Sequence, residues 1–170
     1  MISSDISPVS GQQTLLFSLA DLLARVDEPN AHWTDLPTRP GLYLVLWPVD
    51  SPLEIRPEAG AEGEPLRRRW QEINRHATTD ILYIGLAKSL RQRVRQLARF
   101  GRGHATNHQG GRELWWIKDV ERAELLVLEC PDGRQSGFEN AALERFHTDH
   151  GDYPLCNRPG PRGPEHWWPA

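Results

Sequence analysis

The sequence predicts one small α+β domain, in which helices flank a central three-stranded sheet of mixed or antiparallel strands. Two observations predict this class. Three nearly continuous apolar runs have the length of buried strands, and segments with apolar residues at helical spacing precede, separate and follow them. A chain of 170 residues is long enough to bury one sizeable core and short for two. We therefore expect a single sheet, with an insertion between its first two strands.

The first half of the chain contains a helix, a strand and the insertion. A helix is predicted over Leu15–Val26, where leucines recur at helical spacing. A strand is predicted over Leu42–Val49, because this run is apolar and Pro48 disrupts its end. Residues about 50–79 are rich in Pro, Gly and Glu, so we expect them to loop out, with a short helix in LRRRWQEINRHA. Within that helix, Arg67–Trp70 is a segment through which the insertion is expected to contact nucleic acid.

The second half contains two strands and two helices. The strand in DILYIG ends at Gly85, its turn residue, and the following KSLRQRVRQLARF has the apolar stripe of a helix. A third strand is predicted at about 122–129. The segment GFENAALERFHTDHG forms a last helix that ends at Gly151.

These elements divide the chain into three parts. Residues 1–39 form a helix-and-loop extension, residues 40–158 form the domain with its insertion, and residues 159–170 form an irregular tail. The tail contains Trp167–Trp168, a pair that has to dock on the protein or lie exposed.

Composition excludes several classes of protein. No apolar run is long enough to cross a bilayer, and the N-terminus lacks the basic and apolar segments of a signal peptide. Cys130 and Cys156 are the two cysteines, and their separation does not fit a zinc finger. A reduced, cytoplasmic protein without a membrane partner is therefore expected.

The charges are distributed unevenly along the chain. The net charge is −3, but residues 81–112 contain seven Lys and Arg residues and no acid. A basic stripe within an acidic protein indicates a surface that contacts a nucleic-acid backbone, and a solvated helix face is the alternative. Besides Arg93, the predicted nucleic-acid contacts are Lys88, Arg91, Arg95, Arg99, Arg102, His104 and Arg112.

Two short motifs lie on the first two strands. GLY at 41–43 and YIG at 83–85 resemble the paired tripeptides of the GIY-YIG endonuclease family, with Leu in place of the first Ile. The resemblance extends to Arg93, ten residues after the second tyrosine. It also extends to Glu139, at the start of the last helix, and to Asn157, beyond that helix.

The resemblance implies a GIY-YIG-like fold and a metal-dependent nuclease that cuts DNA. In that class Tyr43 would help to activate the attacking water and Tyr83 would position water or phosphate beside it. Arg93 would bind the scissile phosphate through its planar guanidinium. Glu139 would hold Mg²⁺ or Mn²⁺, since magnesium often takes only one or two carboxylates. Gly85 and Asn157 would have structural roles in the site.

The sequence departs from the family pattern in three places. Leu97 stands where some members have a histidine, and Leu86 stands where others have a lysine. His104 and His108 are the available substitutes, and His108 is preferred as a catalytic residue because it precedes Gly-Gly-Arg. The insertion also makes the gap between the two motifs longer than the usual hairpin.

Each assignment has a simpler alternative. The two tyrosines fit ordinary strand positions, and the arginine fits a solvated helix face. Glu139 fits a carboxylate that interacts with the helix dipole, and Glu144 is a competing candidate. Asn157 also fits a turn before Pro159. At the level of function, the alternative is a catalytically inactive nucleic-acid-binding or protein-interaction module on the same fold.

Overall fold

The computed structural model describes residues 14–29, 31–106, 111–130 and 135–157. The fold is α+β, as predicted, but the sheet has four strands instead of three, and all neighbouring strands are antiparallel. The strand order is β1-β4-β2-β3. The strands are β1 (Thr14–Ser18), β2 (Gly41–Leu46), β3 (Ile81–Ala87) and β4 (Glu124–Glu129).

Four α-helices lie within the described residues. They are α1 (Leu19–Asp27), α2 (Gly63–His76), α3 (Leu90–Gly101) and α4 (Gln135–His150). The α4 helix ends as predicted at Gly151, whose φ of 74° is readily adopted only by glycine. Short 3₁₀ segments connect other elements at Pro57–Glu62, Arg112–Trp116 and Val120–Arg122.

The additional strand comes from a segment predicted as helix. Residues 15–18 pair with β4, and the helix begins only after Ser18, whose hydroxyl accepts a hydrogen bond from the Asp21 amide. Leu16 is 49% exposed while Leu15 and Phe17 pack against the core, which is the alternation of a strand. The prediction was wrong because a short apolar run fits both periods, and only the pairing with β4 decides between them.

The sheet separates two apolar clusters. One face packs against α1 and α3, with Leu22, Val94 and Leu97 fully buried there. The other face packs against apolar residues of α4, including Phe138 and Ala142. Phe146, also on α4, belongs to the first cluster. The α4 helix therefore contributes side chains to both clusters, next to β3.

The insertion does not loop out as expected. Its helix α2 is 14 residues long, and Leu66 and Ile73 are buried in the main core. Polar composition concealed this role, because the apolar residues of α2 are few but share one face. The predicted tail at 159–170 lies outside the described residues.

Two further findings concern the predicted environment. Within the ranges that the structure describes, no helix is long and apolar enough to cross a membrane. Cys130 and Cys156 are buried and not joined in a disulfide, and burial raises the pKa of both thiols.

Candidate active site

The two motif tyrosines lie on adjacent strands and project from the same face of the sheet. Tyr43 stands opposite Gly85, and Val45 stands opposite Tyr83. The two ring centroids are 5.8 Å apart and the ring planes meet at 48°. Both side chains are buried. The motifs thus form an aromatic pair inside the protein, where the hydroxyl groups are shielded from water.

Gly85 makes room for the ring of Tyr43. A methyl group at position 85 would lie 2.6 Å from Oη and 2.7 Å from Cε1 of Tyr43. These distances are shorter than non-bonded carbon atoms tolerate, so a side chain here would displace the ring. The prediction that Gly85 is a turn residue was wrong, because β3 continues to Ala87. The glycine instead lies beneath Tyr43 and lets the ring extend across β3.

Burial and the charges of Arg93 and Glu139 shift the pKa values of the two phenols. Burial raises the pKa of Tyr43, and the positive charge of Arg93 opposes this rise while Glu139 adds to it. Burial, followed by the neighbouring Tyr43, raises the pKa of Tyr83 well above its ordinary value, and Arg93 and Glu139 act in the same two directions. Both phenols therefore keep their protons at neutral pH. The charges of Arg93 and Glu139 therefore act on both phenols, and the two phenol rings contact each other.

Arg93 reaches the tyrosines from the first turn of α3. Ser89 begins this helix by accepting a hydrogen bond from the Gln92 amide at 3.4 Å. The guanidinium of Arg93 donates from Nη1 to Oε1 of Gln96 at 3.3 Å. The residue is half-buried, its Nε is buried, and its charge acts on both phenols.

Glu139 is the carboxylate of this cluster. It lies near the N-terminal end of α4, and only 3% of it is exposed. Glu144, the competing candidate from the sequence, is exposed on the same helix. The charge of Glu139 acts on both phenols, which supports its selection over Glu144 as the site residue.

Two buried polar atoms of the cluster lack hydrogen-bond partners within the described part of the chain. They are Oη of Tyr43 and Nε of Arg93. The Tyr83 hydroxyl and the Arg93 guanidinium are near enough to Tyr43 to lower its pKa, but they do not reach normal hydrogen-bond geometry with it. Buried groups of this kind usually cost about 1–3 kcal/mol each when they are unsatisfied. A bound molecule with an oxygen acceptor would satisfy both.

Asn157 supports the site from the edge of the sheet. Its side-chain oxygen accepts from the Ile84 amide at 2.9 Å, and its Nδ2 donates to the Ile84 carbonyl at 2.8 Å. Ile84 stands between Tyr83 and Gly85, so Asn157 fixes the backbone that carries both motif residues. Asn157 also ends a turn, in which its amide donates to the Pro154 carbonyl at 2.8 Å.

Arg69 is a residue of this region that the sequence did not reveal. The RRRW segment was interpreted as a nucleic-acid contact, but the side chain of Arg69 is turned inward and donates to Asp152 and to the backbone around Asn157. Arg68 beside it is exposed. Sequence could have separated them only through the helical phase of α2, in which residues 66, 69 and 73 share a face.

Part of the predicted nucleic-acid surface is engaged within the protein. Arg91 donates to the carbonyl oxygens of Leu36 at 2.8 Å and Thr34 at 3.1 Å. The guanidinium carbon of Arg95 lies 5.8 Å from the ring centroid of Trp33. Arg102 pairs with Asp27 of α1 at 2.8 Å. These three arginines stabilise contacts of α3 with α1 and with the loop before β2.

Lys88, Arg99, His104 and Arg112 are the other predicted contacts, and all four residues are exposed. The Arg112 guanidinium lies 5.6 Å from the ring centroid of Phe100. His108, predicted as catalytic, lies outside the described residues. Across the described ranges, no cluster of three His, Cys, Asp or Glu residues is positioned to hold a metal ion.

No protein-family model, no curated protein and no solved structure matches this chain.

Proposed function

We propose that the chain is a metal-dependent endonuclease that hydrolyses DNA phosphodiester bonds at a single site of the GIY-YIG type. One observation carries the proposal. Two buried phenols contact each other, the charges of Arg93 and Glu139 act on both, and Oη of Tyr43 and Nε of Arg93 are buried without a hydrogen-bond partner in the described structure. Hydrolysis of a phosphodiester requires a positioned water, a grip on the phosphate and neutralisation of its charge. The cluster contains a residue type suited to each requirement.

A divalent cation fits the residues of this site in one specific way. Glu139 offers one buried carboxylate, and magnesium is often held by one or two carboxylates together with waters and substrate phosphate oxygens. When bound, Mg²⁺ or Mn²⁺ would neutralise phosphoryl oxygens and lower the pKa of a bound water. Zinc is a poorer fit, since it favours His and Cys ligands that this cluster does not contain.

The side chains of the cluster have distinct roles in the proposal. Arg93 binds a non-bridging oxygen of the scissile phosphate through the unpartnered side of its guanidinium. Tyr43 and Tyr83 act as neutral hydroxyls that orient the attacking water, because their raised pKa values keep them protonated. Glu139 holds the cation. Gly85 and Asn157 hold the two phenols in position.

The remaining part of the proposal is that exposed basic residues bind the DNA backbone. Lys88, Arg99 and Arg112 are exposed and belong to a segment of the chain without acidic residues. Such residues attract a phosphate backbone without reading its sequence. Duplex or single-stranded DNA is therefore bound through charge.

Nicking of supercoiled plasmid tests this function. Wild type should convert the plasmid to open circles in Mg²⁺ or Mn²⁺ and should be inactive in excess chelator. We expect Glu139→Gln to lower the rate by about 100- to 1000-fold, because the cation loses its carboxylate. Glu144→Gln is the matched control, since Glu144 lies on the same helix and is exposed. It should retain the wild-type rate.

The results also separate the alternative functions. Equal nicking by wild type and Glu139→Gln would contradict the proposal, because the activity would then not depend on the site. Salt-dependent DNA binding without cleavage would favour a nucleic-acid-binding module. A protein that neither binds nor cuts DNA would favour a protein-interaction module.

A further inference from the structure

The β3 strand lies at the edge of the sheet, where backbone groups need partners. In the antiparallel ladder, the backbone amides and carbonyls of Tyr83 and Gly85 point towards β2. Those of Ile84, which lies between them, therefore point away from the sheet. These groups are satisfied by the segment that follows α4. Cys156 donates its amide to the Leu82 carbonyl at 2.8 Å, and the Asn157 side chain bonds both groups of Ile84. The segment 152–157 therefore covers the edge of the strand that carries YIG.

Arg69 holds that segment in place. Its Nε and Nη2 donate to the two carboxylate oxygens of Asp152 at 2.7 and 3.2 Å. Its Nη1 donates to the carbonyl oxygens of Leu155 and Asn157, each at 3.0 Å, and Nη2 also donates to that of Tyr153 at 3.2 Å. All five N–H donors of the guanidinium are thus used on a single stretch of chain.

The chemistry of this contact requires arginine. Four acceptor groups lie around one planar fork, and the Arg69–Asp152 pair is bidentate. A lysine has three donors on one nitrogen and would reach a subset of these acceptors. The Arg69 side chain is 17% exposed, so water does not replace the lost bonds freely.

We propose that Arg69 is a positioning residue, which acts through Asn157 to fix the Tyr83–Gly85 backbone of the candidate site. The inference rests on the proposed function for its effect on catalysis, but its structural part can be tested alone. It assigns the insertion between the two motifs to the catalytic unit. The α2 helix is then an internal brace, and its arginine sets the position of one phenol and of the glycine beneath the other.

Hydrogen exchange measured by NMR tests the brace without any enzymatic activity. In Arg69→Ala, we expect the Ile84 amide to exchange faster by about tenfold or more, while amides of β4 in the middle of the sheet keep their protection. Arg68→Ala is the matched control, since Arg68 is the exposed neighbour on the same helix. Unchanged exchange at Ile84 in Arg69→Ala would overturn the inference.

A second variant keeps the test decisive if Arg69→Ala does not fold. Arg69→Lys preserves the charge but not the five donors, so it should loosen Ile84 less than Arg69→Ala and more than Arg68→Ala. If Ile84 in Arg69→Lys exchanges as in wild type, charge alone is sufficient and the positioning role is wrong. If all amides lose protection together, Arg69 supports the whole fold and the specific role is also wrong.

Kinetics test the functional part. We expect Arg69→Ala to lower kcat by about 10- to 100-fold with KM changed by less than about threefold, because the site is displaced while the DNA-binding surface remains. In a double-mutant cycle with Asn157→Ala, the double variant should be little worse than either single variant. Independent, multiplying effects would overturn the route through Asn157.

The two proposals fail in distinguishable ways. If wild type does not cut DNA but Arg69→Ala loosens Ile84 selectively, the nuclease function is wrong and the brace stands. If wild type cuts DNA and Arg69→Ala behaves like wild type in both assays, the function stands and the brace is wrong.

Discussion

Both flanks of α3, extended to its C-cap residue Arg102, carry arginine, but their arginines differ in what they contact. The site flank comprises Arg93, Gln96 and Phe100, and its guanidinium acts on two buried phenols. The outer flank comprises Arg91, Arg95 and Arg102, which contact carbonyl groups, an indole ring and an aspartate of the same chain. On the site flank, Nε of Arg93 has no hydrogen-bond partner among the described residues. On the outer flank, the arginines hold parts of the fold together.

This difference shows that a run of arginines does not by itself define a nucleic-acid surface. A charge has to be available before it can neutralise a phosphate, and availability depends on neighbours that are distant in sequence. Thr34, Leu36 and Asp27 supply those neighbours on the outer flank. The same helix therefore combines a proposed catalytic role with an architectural one.

The largest expected effect is on the site flank. We expect Arg93→Ala to lower the DNA-cutting rate by about 100- to 1000-fold, because the phosphate loses its charged hydrogen-bond donor. The melting temperature should stay close to that of wild type, since Arg93 makes one side-chain hydrogen bond, to Gln96, within the described structure. Nicking kinetics and thermal unfolding provide the measurements. Retained activity would remove Arg93 from the site.

The outer flank should respond in the opposite way. We expect Arg91→Ala to lower the free energy of unfolding by about 1.5–2 kcal/mol, because two carbonyl groups lose a charged donor. The cutting rate at a temperature where the variant is folded should be nearly unchanged. Denaturant unfolding followed by tryptophan fluorescence measures the stability. A stable but inactive Arg91→Ala variant would show that the comparison of the flanks is wrong.

A smaller effect is expected for an exposed arginine on the same helix. Arg99→Ala should reduce the slope of log binding constant against log salt concentration by about one, as expected for a single lost phosphate contact. Arg91→Ala should leave this slope unchanged because its guanidinium is already engaged. Fluorescence anisotropy over a salt series provides the slopes. Equal slopes in all three proteins would contradict a DNA-binding surface on α3.

The smallest effect at neutral pH concerns the phenols themselves. Burial raises the pKa of Tyr83 well above its ordinary value, so the protonated form is favoured in the folded state. The resulting stability is fully present below the unfolded pKa of about 10 and is lost as the pH rises from there towards the folded pKa. We therefore expect the wild type to lose stability above about pH 10 more steeply than Tyr83→Phe. Parallel curves from pH 9 to 11 would contradict this expectation.

Local sequence was sufficient for the elements whose partners are close in the chain. The Ser89 cap and the apolar stripe define α3, and the glycine at 151 defines the end of α4. The spacing from Tyr83 to Arg93 is also local, because a strand, a turn and one helical turn fix it. The selection of Glu139 followed from the family resemblance, and its charge acts on both phenols.

Long-range pairing explains what the sequence did not reveal. β1 is a strand because β4 pairs with it, and the apolar run alone also fits a helix. Arg69 and Arg91 differ from their exposed neighbours in the acceptors they reach, which belong to distant segments: backbone carbonyls for both and the Asp152 carboxylate for Arg69. Composition assigned the insertion to a loop because most residues of α2 are polar, whereas two buried side chains are enough to attach it.

The contact between Tyr43 and Gly85 has an evolutionary consequence. The aromatic ring at 43 occupies the space that a side chain at 85 would need, so the two positions cannot vary independently. In any set of relatives, a substitution of the glycine should coincide with a smaller residue at the tyrosine position. Covariation between these two columns would therefore record the packing of the site, whether or not a given relative retains its chemistry.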